Sequence, residues 1–209
     1  MKKILIVVGI AILLLLITQK SKIKKMGENI FNAVETEFQK IKTSFYLSAQ
    51  QISILSKAVV ALLNSGCPKS SLPFVIAQLA FETGHFKSSE ALIDNNLSGI
   101  KYVGNVPNKF GQNQRDNNVT QGQYLNPNSQ EVGGYYAHYP SVNEWAKNYL
   151  FILNNAGTAK PLEQTTASGY AHALKVNKYY EASEIDYAKG IDSLSKMYAP
   201  FISAINKFF

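Results

Sequence analysis

The stretch that decides the fold is PFVIAQLAFETGHFKSSEALIDNNLSGIK, residues 73–101. Its first half predicts a helix, with Ser71 as a residue type that caps helix N-termini. Val75, Leu79 and Glu82 follow at spacings of four and three, so they lie on one helical face. A carboxyl group at the end of an apolar stripe is desolvated, which raises its pKa and suits it to general acid catalysis. The alternative is a glutamate that simply emerges into water as the helix ends.

Two blocks in this stretch resemble a known enzyme signature. Residues 80–88, AFETGHFKS, fit the pattern A-x-E-[ST]-G-x-x-x-S, and residues 95–101, NNLSGIK, fit N-N-x-x-G-I-K. Together they resemble the glucosaminidases of glycoside hydrolase family 73. The resemblance implies an α+β, mainly α, lysozyme-like domain with a small β-hairpin lobe, which cuts the glycan strand of peptidoglycan. It also implies that Glu82 is the acid.

The second block is expected to contact substrate. In the family this segment shapes the floor of the cleft, which assigns substrate binding to Asn95, Asn96, Gly99 and Lys101. A buried asparagine pair with satisfied hydrogen bonds is the structural alternative, and both roles are compatible.

Residues 104–134 are rich in Gly, Asn, Gln and Pro, which is typical of loops or a short hairpin beside a cleft. The family carries a second carboxylate here in a T-x-E-Y-like element, and this chain has TQGQY at residues 120–124. Gln123 therefore stands where the family has Glu, and Gln123 and Tyr124 become candidate substrate contacts. Glu131 could replace the missing carboxylate, as could Asp116. A second carboxylate would not be needed if the substrate's acetamido group assisted the reaction, or if Glu82 alone carried out lytic cleavage.

Two later segments also resemble family elements. Residues 134–142, GYYAHYPSV, resemble a strand that leads into a helix, with Ser141 as N-cap and His138 where the family has Arg. His138 is expected at the cleft wall or in a structural role, and Trp145 is expected in the core. The segment around residues 174–188 implies that Tyr179 faces the catalytic acid.

Composition and charge exclude several classes of protein. A single cysteine, Cys67, rules out an intramolecular disulfide framework, and we expect it to be a small buried residue. Residues 1–50 carry eight Lys and three Glu, so most of the formal net charge of +7 flanks one hydrophobic run. With Arg115 as the single arginine, nucleic-acid binding is not expected.

Glu82 and His85 are three residues apart, but Gly84 separates them and no other residues have the spacing of metal ligands, so we expect no metal and no cofactor.

The N-terminal run ILIVVGIAILLLLIT, residues 4–18, predicts a membrane anchor. As a helix it spans about 22 Å, short of a hydrocarbon core of roughly 30 Å, and flanking lysines can compensate by snorkelling. No small-residue cleavage site follows, which favours an uncleaved anchor over a signal peptide. The lysines after the run would place the C-terminal side in the cytoplasm. A wall-cutting domain must face the wall, and the membrane of a lipid-containing virus would remove this conflict.

Between anchor and enzyme, an apolar stripe predicts an amphipathic linker helix. The stripe comprises Ile30, Phe31, Val34, Phe38, Ile41 and Phe45. The helix would pack on the catalytic domain as a stalk, or serve as a membrane-surface or oligomerisation helix. The expected organisation is an anchor at 1–25, a stalk at 26–47 and a glycosidase domain at 48–209.

The sequence thus predicts a membrane-anchored peptidoglycan hydrolase of the endo-β-N-acetylglucosaminidase type on the wall-facing side of a cell or virus membrane. Its partners would be the glycan strand and the lipid bilayer. The alternatives are a lytic transglycosylase that uses Glu82 alone and an inactive glycan-binding or structural membrane protein.

Overall fold

The structure is a computed structural model that describes residues 47–104, 106–125 and 134–206. The predicted anchor, nearly all of the predicted stalk, Glu131 and the side chain of Tyr124 lie outside the described residues. None of the helices within the described ranges is long and apolar enough to cross a membrane.

The described part is mainly helical, with one small antiparallel sheet. In chain order the elements are α1 (Ala49–Asn64), α2 (Leu72–Glu82), α3 (Ser89–Ile93), α4 (Lys109–Asp116), β1 (Thr120–Leu125), β2 (Tyr135–His138), α5 (Val142–Asn155), a 3₁₀ turn (Pro161–Glu163), α6 (Ala167–Val176) and α7 (Glu184–Asn206). This confirms the mainly helical α+β class and the hairpin lobe that the sequence predicts.

Helix α2 is the central element of the core. It is apolar on almost every side, which is typical of a helix enclosed by others. It packs along α7, while α1 packs on α5 and α6 packs on α7. Its buried residues are Leu72, Val75, Ile76, Ala77, Gln78, Leu79 and Ala80.

One of the two predicted helix caps is confirmed, because Ser141 accepts a hydrogen bond from the backbone of Glu144. Ser48 and Gln51 form a reciprocal capping box that opens α1. The prediction that the Ser71 side chain caps α2 is wrong. Its hydroxyl donates to the carbonyl of Pro68 and makes no capping bond to the helix. The Ser71 backbone is already helical there, so its side chain is not placed to cap the first turn.

The two-stranded sheet forms the predicted hairpin lobe. Thr120 pairs with His138 and Leu125 with Tyr135, and the register is irregular between Gln121 and Leu125. Gly122 lies in this irregular part, where a Cβ atom would stand 2.7 Å from the carbonyl oxygen of Tyr136. Only glycine allows the two strands to approach so closely here.

The end of α6 adopts a conformation that normally favours glycine. Lys178 has a φ of 58°, and the N–H groups of Lys178 and Tyr179 donate to the carbonyls of Lys175 and Leu174. This is the Schellman pattern of helix termination, with lysine at the left-handed position. The left-handed turn therefore forms although a lysine, and not a glycine, occupies position 178.

We predict that Lys178→Gly stabilises the protein. A left-handed non-glycine residue costs about 1–2 kcal/mol, and the added chain entropy of glycine offsets part of this, which leaves a gain of about 0.5–1 kcal/mol. Urea denaturation followed by circular dichroism measures the difference. Lys178→Ala keeps the strained conformation and is the matched control. An equal stability for both variants would contradict the explanation.

Candidate active site

Glu82 is the last residue of α2, and it stands where the buried helix reaches the surface. The residue is exposed, yet the protein around its carboxyl group raises the pKa by desolvation. The Tyr187 hydroxyl donates to Glu82 Oε1 at 3.3 Å, which opposes the rise because it stabilises the ionised form. Glu82 thus combines access to solvent with a carboxyl group that holds its proton to higher pH than usual.

The turn after Glu82 is strained and held by Thr83. Gly84, His85 and Phe86 all have positive φ angles, of 55°, 61° and 64°. The buried Thr83 hydroxyl donates to the carbonyl of Leu79 at 2.6 Å and accepts from the N–H of Phe86 at 2.8 Å. The threonine hydroxyl therefore joins the end of α2 to the left-handed turn. This explains why a hydroxyl residue follows Glu82, and the positive φ angle of Gly84 explains the glycine after it.

Tyr187 is fixed by aromatic contacts of its ring with two neighbouring side chains. The ring of Tyr180 stacks on Tyr187 with centroids 3.8 Å apart and planes 10° apart. The ring of Phe81 meets Tyr187 edge to face at 5.5 Å. The Tyr180 hydroxyl donates to the carbonyl of Ala171, and Lys175 Nζ lies 5.1 Å from the Tyr180 ring centroid. These contacts leave Tyr187, which is 4% exposed, little freedom to move its hydroxyl.

Tyr179, which the sequence assigns to face the acid, is partly buried and borders a buried polar group that is centred on Gln78. Gln78 Oε1 accepts hydrogen bonds from the hydroxyls of Tyr149 at 2.8 Å and Tyr170 at 2.5 Å. Burial, and then the charge of Glu82, raises the pKa of Tyr179, while Gln78 and Tyr149 oppose the rise. Tyr179 is thus within electrostatic range of Glu82, but the hydroxyl bonded to the carboxylate is that of Tyr187.

The asparagine turn has mainly a structural role in this structure. Asn96 is completely buried; its Nδ2 donates to the carbonyls of Ile100 and Ala137, and its Oδ1 accepts from the N–H of Ile100. Asn95 has a φ of 51° and donates through Nδ2 to the carbonyl of Tyr139. Both amides bind backbone groups, so they hold the hairpin lobe against the turn. A substrate contact remains a prediction for Asn95, which is only partly buried.

The lobe places one tyrosine over this turn. Tyr136 forms a backbone bridge with Lys101, and its ring lies 3.6 Å from the position of a Cβ atom on Gly99. Burial raises the pKa of Tyr136, and the charges of Glu90 and Glu82 raise it further. Gly99 and Lys101 are exposed beside it, and their role as substrate contacts stays a prediction.

His138 lies on the same strand and pairs with a buried acid. Its Nδ1 is 2.9 Å from Asp94 Oδ1, and the side chains are 40% and 0% exposed. The pair joins the end of α3 to β2, which gives His138 a structural partner. A place of His138 in the cleft wall stays a prediction.

The remaining predicted residues divide between core, surface and undescribed segments. Trp145 is fully buried and donates to the Ser98 hydroxyl at 3.0 Å, which confirms its place in the core. Cys67 is buried, and burial raises its pKa to about 12. Gln123 is exposed on β1.

Across residues 47–104, 106–125 and 134–206, no three His, Cys, Asp or Glu side chains are grouped as metal ligands would be.

Sequence reasoning missed two tyrosines of this site. Tyr187 and Tyr136 both lie in segments that the sequence analysis singled out, yet neither received a role. Nothing in the spacing separates Tyr187 from Tyr179 and Tyr180, because the contact with Glu82 depends on how α7 packs against α2.

Comparison with known proteins gives two similarities. The family described as mannosyl-glycoprotein endo-β-N-acetylglucosaminidase matches residues 64–200. A crystal structure of a peptidoglycan hydrolase mutant from Sphingomonas sp. A1 is similar, with 21% sequence identity and a TM-score of 0.43, over 71% of this chain and 94% of that chain. No curated protein matches the chain.

We predict that Tyr187→Phe raises the pKa of Glu82. The substitution keeps the ring contacts but removes the hydrogen bond that stabilises the carboxylate, so the protonated form persists to higher pH. Titration of the side-chain carboxyl carbons by ¹³C NMR measures the shift, and Glu82→Gln assigns the signal. Tyr198→Phe, which removes a hydroxyl bonded to His85, is the control and should leave the Glu82 titration unchanged.

Proposed function

The chain belongs to the glucosaminidase family, and from that premise we propose that it hydrolyses the β-1,4 glycan strand of peptidoglycan with Glu82 as general acid. Family membership makes it a glycosidase, and it confirms the resemblance recognised in residues 80–101. The bond cut would be the one that follows an N-acetylglucosamine unit.

The placement of Glu82 is the single observation that carries the assignment of the acid. Its pKa is raised by desolvation, so the carboxyl group keeps the proton that a leaving oxygen must receive to higher pH than an ordinary glutamate does. Tyr187 fixes the orientation of that group through Oε1. A glutamate that merely emerged into water would lack both features.

The substrate proposal rests on the sequence blocks around the site. The N-N-x-x-G-I-K block places the exposed Gly99 and Lys101 near Tyr136, where a sugar unit would be bound. The family description names a glycoprotein substrate with the same kind of N-acetylglucosaminidic bond. Digestion of purified peptidoglycan and of a mannose-rich glycoprotein, side by side, distinguishes the two.

We predict that the protein releases muropeptides with reducing N-acetylglucosamine ends and that Glu82→Gln lowers turnover by about 100-fold or more. Glutamine keeps the shape of the side chain but cannot donate the proton. Mass spectrometry of the products, together with thermal unfolding of the variant, measures both effects.

Each of the other possible outcomes would indicate a different activity of the protein. Anhydro sugar ends would assign lytic transglycosylase chemistry, which needs one acid/base carboxylate. No cleavage by a folded protein would favour the inactive glycan-binding alternative. Full activity of Glu82→Gln would remove the proposed acid.

We further propose that residues 4–18 anchor the enzyme in a membrane, with residues 26–47 as a stalk and the catalytic domain, residues 48–209, on the wall-facing side. The support is the uncharged run and its lysine flanks in the sequence. The lysines after the run oppose this orientation in a plasma membrane, so the membrane of a lipid-containing virus fits it better.

We expect the full chain to remain with membranes after carbonate extraction, whereas a variant that lacks residues 1–25 is released. Loss of the uncharged run at residues 4–18 removes the hydrophobic free energy of insertion. Immunoblots of the fractions measure the partition, and protease treatment of intact cells or particles reports the orientation. Release of the full chain by carbonate would contradict the anchor.

A further inference from the structure

A cavity of about 250 Å³, here called the α4–α5 pocket, lies between residues 100–106, α4 and α5. Its walls carry aliphatic and aromatic side chains, which belong to Ile100, Val103, Val106, Phe110 and Ile152. The volume is that of roughly eight water molecules in the liquid, which leaves room for small side chains. No step of the proposed hydrolysis uses this pocket.

Buried amide side chains hold the walls of the pocket in place. Gln114 Nε2 donates to the carbonyl of Lys101 at 2.8 Å, and Gln114 Oε1 accepts from the N–H of Val103 at 2.7 Å. Asn148 Oδ1 accepts from the Tyr139 hydroxyl at 2.6 Å. Gln114 and Asn148 are each 1% exposed. The pocket is therefore formed by the fold itself, as small-molecule sites usually are.

The amide groups that line the pocket are already bonded to the protein. Both polar atoms of Gln114 have partners, and Asn108 Oδ1 accepts from the N–H groups of Phe110 and Gly111 at the start of α4. The hydroxyl groups of a sugar unit would lose water here without finding partners, which costs free energy. The pocket therefore suits an aliphatic group better than a sugar ring.

One cation lies at the rim of the pocket. Lys101 is a lining residue and is exposed to solvent. In the part of the chain that the structure describes, no carboxylate pairs with its Nζ. A ligand that combines aliphatic groups with a carboxylate would fill the pocket and pair with this lysine.

The pocket is continuous with the proposed glycan site. The Tyr136 ring lies 3.6 Å from the position of a Cβ atom on Gly99, and the next two residues, Ile100 and Lys101, line the pocket. Lys101 also forms the backbone bridge with Tyr136. Successive Cα atoms are about 3.8 Å apart, so the pocket begins within about 8 Å of Gly99, a distance that three extended residues span.

We propose that the α4–α5 pocket binds the peptide stem of the peptidoglycan strand, with aliphatic side chains of the stem in the pocket and one of its carboxylates on Lys101. The stem is attached to the sugar that alternates with N-acetylglucosamine, and it combines the methyl groups of alanine with free carboxylates. The inference rests on the proposed function and deepens it, because it makes peptide-bearing strands the preferred substrate.

The test compares one preparation of soluble glycan strands before and after an amidase has removed the peptides. We expect the full wild-type chain to cleave the peptide-bearing strands with a kcat/KM about tenfold higher, the factor that burial of about two methyl groups gives. Initial rates of reducing-end release measure both values, and their quotient is the substrate ratio.

Two tryptophan variants localise this preference. Val106 is 41% exposed at the rim of the pocket, so Val106→Trp covers the opening without disturbing the core. We expect the substrate ratio to fall to about one, because the stem loses its aliphatic contacts. Val176→Trp makes the same change at a valine that is 48% exposed at the end of α6, and this matched control should keep the ratio. Thermal unfolding confirms that both variants are folded.

Salt separates the charge of Lys101 from the aliphatic contacts. An ion pair with an exposed lysine is screened by salt, so the wild-type substrate ratio should fall as sodium chloride is raised. Lys101→Met removes the charge and should give a smaller ratio that no longer depends on salt, whereas Lys101→Arg should keep the wild-type behaviour. Any contact of Lys101 with the sugar is common to both substrates and cancels in the ratio.

Equal cleavage of both substrates by the wild-type enzyme would assign the pocket to another occupant and overturn the inference, while the proposed function would stand. An unchanged ratio in folded Val106→Trp, an equal loss in Val176→Trp, or the wild-type salt dependence in Lys101→Met would also overturn it. Cleavage of neither substrate would remove the proposed function and this inference with it.

Discussion

The structure depends on the enclosure of α2, a helix whose last residue is an acid. Seven of its residues are buried, so the helix cannot shift along its axis without moving the core. This rigidity fixes Glu82 at the point where the helix reaches the surface. The raised pKa of Glu82 follows from the same packing, because the residues that bury the helix also withdraw water from its end.

A polar group in the core supports this arrangement. Gln78 lies one helical turn before Glu82 and accepts hydrogen bonds from the hydroxyls of Tyr149 and Tyr170. Buried polar groups are costly unless they are paired, so these bonds select one way of packing α2 against α5 and α6. The tyrosines around Glu82 are therefore placed by the core and are not free surface side chains.

The second half of the site comes from the hairpin lobe. Asn96 holds the lobe to the turn through backbone carbonyls, and this brings Tyr136 over Gly99. Because one buried amide bonds the backbone of both Ile100 and Ala137, the turn and the strand are held together at this point. The site is thus assembled where α2, the asparagine turn and β2 meet, with α7 closing it through Tyr187.

The sequence by itself determined the helical class, the hairpin lobe, the family and the identity of Glu82 as the candidate acid. Those features are local, since apolar periodicity, capping residues and short motifs act over a few neighbouring residues. Only the tertiary structure decided that Tyr187 rather than Tyr179 bonds Glu82 and that Asn96 is committed to backbone. Each of these depends on segments that are far apart in the chain or on a turn whose direction is set by packing. Residue spacing carries no information about such contacts, because the free energy that selects them arises only when the whole core is closed.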